Sequence, residues 1–284
     1  MDTGICRLCG EEKQLIKAHV IPRQFFTRDR KRRVSVSKDK VFLSKCPVGI
    51  YDEGILCGRC DGKLGDFDQE AQTLLLSDLS SYKCENAYII PATKFDYKKL
   101  KLFFVSLLWR ASVSSMPNFK HVNLGDKSEQ EALSVLRYPE LDREDLFPVV
   151  IFKLSNVHYN AVRGIYIDPT PFRLKDVNMY RFIFAGYTIC IKVDDRPLGL
   201  RLPMLRSNCD LLVLEKSPLE ELTAMIDISN IPGIDEQRRA FIKKISIVCD
   251  TIKVEERLLK GIQPTFWFKE GQPYYYLVQV KGQG

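Results

Sequence analysis

Apolar spacing divides the chain into an irregular, polar first quarter and a longer remainder with regular periodicity. Residues 96–114 carry apolar side chains on most sides, which predicts a helix buried all round. Trp109-Arg110 interrupts its apolar run, and Lys98, Lys99 and Lys101 precede it. The run is too short to span a bilayer. Residues 128–137 predict a shorter amphipathic helix. A strand-rich region follows, with runs at 147–154, 161–167, 180–185, 187–193 and 210–214. Gly186 predicts a bend or bulge between two of them rather than a two-residue hairpin loop. Tyr180, Phe182 and Phe184 alternate along one strand, so they share a face. That face is expected to be sheet core rather than a stacking platform for bases. Residues 218–225 and 235–260 predict late helices, the second interrupted near Ser246, and 274–280 a terminal strand.

The first quarter is organised by cysteines instead. Cys6/Cys9 and Cys57/Cys60 are two Cys-x-x-Cys pairs. One pair supplies half a tetrahedron, and a distant second pair closes it and pins the intervening loop. The expectation is a structural zinc. A redox pair would follow a strand in a βαβ unit, and neither pair has that setting. Cys46 is a further thiol that could replace one ligand. Cys84, Cys190, Cys209 and Cys249 are scattered and are expected to be buried.

Between the pairs, residues 17–22 (Lys-Ala-His-Val-Ile-Pro) predict a short strand carrying His19 into a proline. Asp52 lies five residues before Cys57. After Cys60, residues 61–71 predict a helix opening with acids in its first turns, although Gly62 and Gly65 weaken it. Asp61 and Asp68 are seven apart and share a helix face. His121 and His158 fit no pattern and are expected to be structural or surface residues.

A knuckle, a His-hydrophobic-Pro strand, a loop, a second knuckle and a helix together resemble the HNH endonucleases of the His-Me finger (ββα-metal) group. The resemblance covers roughly residues 4–75. It implies that His19 is the general base that activates water. Asp52 falls where the family has Asn, and Asp61 where it has its final, metal-binding His. Carboxylate oxygens suit magnesium and manganese, so Asp61, with Asp52 or Asp68, would hold a catalytic Mg or Mn ion. The same departures fit a decayed site that binds nucleic acid or a protein partner without cutting. The implied setting is bacterial defence against foreign DNA (antiviral defence), with a homo-oligomer or a defence-system protein as partner.

Charge favours a polyanionic partner, and the resemblance makes DNA the expected one. The chain has 43 Lys+Arg against 36 Asp+Glu, a net +7. Residues 28–33 hold Arg28, Arg30, Lys31, Arg32 and Arg33 beside a single acid, just after Arg23. Such a loop near a phosphodiesterase site would grip the backbone in a salt-sensitive, sequence-independent way. A solvated loop has the same composition. Cys6 and Glu11-Glu12-Lys13 interrupt any signal-peptide-like run, and nine cysteines without such a signal fit a reducing cytoplasm. No membrane partner is expected. The 284 residues accommodate two domains. The expected fold is α+β: an HNH-like zinc-stapled head over 1–90, then over 91–284 a helical connector and a mixed domain with an antiparallel sheet for recognition or assembly.

Overall fold

The computed structural model describes residues 3–26, 34–37, 40–45, 50–154, 165–199 and 202–216. The elements expected at 218–225, 235–260 and 274–280 lie outside these, as do Cys46, His158 and Cys249. The fold is mixed α+β. In chain order the elements are β1 (Thr3–Ile5), β2 (Glu12–Gln14), β3 (Ala18–Ile21), β4 (Val34–Ser37), β5 (Lys40–Lys45), β6 (Ile50–Asp52), α1 (Gly58–Leu75), β7 (Lys83–Cys84), β8 (Ala87–Ile90), α2 (Tyr97–Val113), α3 (Gly125–Arg137), β9 (Val149–Leu154), β10 (Ile165–Leu174), β11 (Val177–Phe184), β12 (Tyr187–Lys192) and β13 (Leu211–Lys216).

A nine-stranded sheet runs in the order β5-β4-β10-β11-β12-β9-β13-β8-β7. It is antiparallel except where β4 pairs with β10 and β9 with β13. Two small sheets, β1-β2 and β3-β6, lie apart from it. Strands from both sides of residue 90 enter the large sheet. One hydrophobic cluster runs continuously from Cys6 to Val213.

The organising element is α2. Asp96 caps it by accepting a hydrogen bond from Lys99 N at 3.0 Å, which satisfies an amide that would otherwise lack a helical partner. Every residue from Leu100 to Ala111 is buried. The reason is that α2 contacts α1, α3 and β3 while its aromatic residues meet the sheet. Phe103 packs on Phe184 (ring centroids 6.0 Å) and on Phe25 (5.1 Å), and Phe25 meets Phe184 edge-on at 5.2 Å. Tyr180, Phe182 and Phe184 are all buried, as their alternation predicts. The cation Lys101 is buried as well, tied to Asp142 at 2.7 Å. No helix among the described residues is long and apolar enough to cross a membrane.

Two expectations are overturned here. Ala185-Gly186 is a two-residue hairpin loop after all: Phe184 pairs with Tyr187, and the loop φ values are +52° and +84°. Positive φ at both central positions gives the turn twist that matches the flanking strands. A Cβ at Ala185 makes this unfavourable on local grounds, so the composition pointed elsewhere. Lys175 and Asp176 turn β10 into β11 the same way, at +46° and +65°. The second correction concerns the thiols. Cys190 is buried, but Cys84, at the end of the short edge strand β7, and Cys209, in the bend before β13, are exposed.

Candidate metal centre and the His19 site

The first knuckle grows from the β1-β2 hairpin. Gly10 N donates to Cys6 O at 2.8 Å and Cys6 N to Glu11 O at 2.9 Å. Gly10 closes the turn at φ +76°, a conformation that glycine adopts without steric cost. The second pair is built differently. Cys57 is the N-cap of α1 and Cys60 lies in its first turn. Backbone bonds from Arg7 N to Ile55 O and from Ile16 N to Leu56 O, both 2.9 Å, bring the two halves together. Cys57 N donates to Cys6 Sγ at 3.4 Å.

The four Sγ atoms all lie within 4.8 Å of one another. A tetrahedral zinc with Zn–S bonds of about 2.3 Å needs sulfurs about 3.8 Å apart, so the donor set fits a zinc-like cation. Cys6, Cys57 and Cys60 are buried and Cys9 is half-buried. Burial raises the Cys6 thiol, but the surrounding backbone N–H groups outweigh it and bring the thiol down to about 7. Burial and the neighbouring thiols push Cys60 the other way. A divalent cation resolves this conflict by favouring the thiolate at every position. The centre is also buttressed from outside: Arg137, at the end of α3, donates from Nε to Leu8 O within the first knuckle, and Lys63 of α1 donates to Arg137 O.

β3 and β6 form a small sheet of their own, and α1 starts at the second knuckle. β3 and β6 are antiparallel, with Ala18 opposite Asp52 and His19 opposite Tyr51; the register shifts between His19 and Ile21. His19 is half-buried and meets the Tyr51 ring edge-on at 6.2 Å. Asp61 lies in the first turn of α1 and is also half-buried. Burial pushes the His19 imidazole below its ordinary value, against the pull of Asp61. Burial likewise pushes the Asp61 carboxyl up, while Arg110 and His19 draw it back. His19 and Asp61 therefore lie within electrostatic reach of each other, though not in an ion pair. Neither side chain has a hydrogen-bond partner among the described residues.

The other two acids are engaged. Asp68 accepts from Arg110 Nη2 at 2.8 Å. Asp52 is buried and turns toward the end of α2: its Oδ2 accepts from Ser114 Oγ at 2.6 Å and Ser115 N at 3.0 Å, and its Oδ1 accepts from Gly54 N at 2.7 Å. The sequence-predicted residues thus divide. His19, Asp61 and Asp68 come together electrostatically, and Asp52 braces a loop. Arg23 is exposed in the short 3-10 turn that follows β3 and also bears on His19. Arg28, Arg30, Lys31, Arg32 and Arg33 lie outside the described residues. His121 hydrogen-bonds Pro169 O through Nε2 at 2.9 Å, in keeping with a structural role.

The sequence reading missed Arg110, a lone cation within the apolar run of α2. Its isolation was the available signal, because a wholly buried charge requires partners. Ser114 and Ser115 carried no signal at all. No family model, curated protein or solved structure matches the chain.

Proposed function

We propose that this chain is a zinc-stapled, HNH-like, metal-dependent endonuclease that hydrolyses phosphodiester bonds in DNA, acting in bacterial defence against foreign nucleic acid. The observation that carries the reading is that His19 and Asp61, next to the four-cysteine cluster, lie within electrostatic reach of each other, both half-buried and both without a hydrogen bond among the described residues. Burial keeps the imidazole neutral near pH 7, as a base that takes a proton from water must be. The Asp61 carboxylate is a hard oxygen donor at the opening of α1. A bound magnesium or manganese ion would supply positive charge at the scissile phosphate and leaving oxygen. In this reading Asp68 and Asp52 hold the frame, because their oxygens already accept hydrogen bonds. Arg23, exposed just after the strand that carries His19, would meet the phosphate backbone.

The Asp68–Arg110 pair also favours a second reading. It leaves Asp61 as the one acid of the three without a hydrogen bond, a thin donor set for a divalent ion. A site of that kind binds nucleic acid or a protein partner and does not cut. Plasmid nicking with manganese or magnesium, with His19→Ala beside the parent, separates the two: cleavage that depends on His19 supports the nuclease, and salt-sensitive DNA binding without cleavage supports the binder.

A further inference from the structure

Arg110 makes five side-chain hydrogen bonds from a fully buried position. Its Nε donates to Ser106 O at 3.3 Å, Nη1 to His19 O at 2.7 Å and Asp68 Oδ2 at 3.5 Å, and Nη2 to Asp68 Oδ1 at 2.8 Å and Ser106 Oγ at 2.9 Å. A guanidinium has five N–H donors, and these five contacts use them all. The group is completely buried, and between Leu102 and Ala111 its only polar company on the helix is Ser106. Burying a charge there is costly, and an apolar side chain of similar volume would fill the space without that cost.

The contacts indicate what the charge achieves. One arm holds the carboxylate of α1 that lies two turns beyond Asp61 on the same face. Another holds the main-chain carbonyl of His19, where the β3-β6 register shifts. Bulges re-aim side chains, and a carbonyl bonded outside the ladder fixes the angle at which that occurs. The rigid fork of arginine spans both partners at once, whereas a lysine ammonium is a single point.

We infer that Arg110 is a positioning residue, which sets the orientation of the His19 ring relative to α1 and Asp61 by bonding the His19 carbonyl and Asp68 together. This rests on the nuclease reading for its catalytic meaning but not for its geometry. The test uses the full-length chain with Arg110→Met combined with Asp68→Leu, which removes the buried pair without leaving an orphan charge, and Arg110→Lys as a second variant. Zinc content and thermal midpoint report the fold. Nitrogen resonances of the His19 imidazole, assigned against His19→Ala, report its placement. The expected result is a retained fold with shifted or broadened His19 resonances, and nicking reduced roughly 10–100-fold in kcat with little change in KM. Unmoved His19 resonances in a folded variant would overturn the assignment. Loss of fold in both variants would overturn it too, making Arg110 a core strut. A parent that does not nick, with resonances that still move on substitution, would leave the positioning role standing and remove the nuclease reading.

Discussion

Arg110 and Asp68 form an unequal ion pair across α1 and α2: their side chains are 1% and 18% exposed at an N–O separation of 2.8 Å. Because the cation is the buried member, the two halves of the pair are not equivalent to remove. Asp68→Ala leaves a guanidinium in the core with part of its hydrogen bonding lost. The expected cost is roughly 3–5 kcal/mol. Urea unfolding of Asp68→Ala against Arg110→Met/Asp68→Leu checks this, since the double substitution is expected to be the milder of the two.

Cys57 supplies both a sulfur to the four-cysteine cluster and the N-cap of α1. Cys57→Ser is expected to lose bound zinc, measured by elemental analysis, and to lower the thermal midpoint of the N-terminal module sharply. Metal binding in such a small module is largely folding free energy. A variant with the parent's metal content and melting would remove the staple.

Asp52, although buried, shifts in the opposite sense to Asp61. Burial opposes its charge, but hydrogen bonds from Ser114, Ser115 and Gly54 prevail and hold its carboxyl below the ordinary 3.8. A depressed folded value contributes stability that is present above the unfolded value and is lost as pH falls through the folded one. Relative to Asp52→Asn, the parent should therefore be favoured at pH 5 and lose that advantage below pH 3.8. Paired denaturation curves across that range read it directly.

Asp168, on β10, behaves the other way. It is 1% exposed, and burial outweighs the favourable effect of the nearby Tyr166 hydroxyl. Burial pushes its carboxyl up to about 7. The neutral form belongs to the folded state, so this group's contribution is full below 3.8 and is lost as pH rises toward about 7. Asp168→Asn should match the parent near pH 3.5 and exceed it by a few kcal/mol at pH 8. Equal stability of the two at pH 8 would contradict the burial argument.

The cysteine spacing and the His19 strand were legible because each rests on local chemistry. A metal knuckle needs two thiols at fixed separation, and a strand running into proline marks its own end. The buried character of α2 was legible from periodicity, and the core face of β11 from its alternating aromatics. What escaped was set by contacts distant in sequence. Asp52 reads as a site acid until Ser114 and Ser115, more than sixty residues away, take up one of its oxygens. Arg110 reads as a flaw in an apolar run until α1 and β3 close around it. The run expected over 161–167 continues instead, as β10, through a register shift to Leu174, held there by pairing with β11.

We propose that His19 and Asp61 perform metal-dependent phosphodiester hydrolysis. The most direct test is nicking of supercoiled plasmid by the full-length chain with manganese or magnesium, beside His19→Ala and Asp61→Asn, each with zinc content verified. The account predicts that the parent cuts, that His19→Ala does not, and that Asp61→Asn requires far more metal. Equal cutting by all three, or no cutting by a parent that is folded and loaded with zinc, would contradict it.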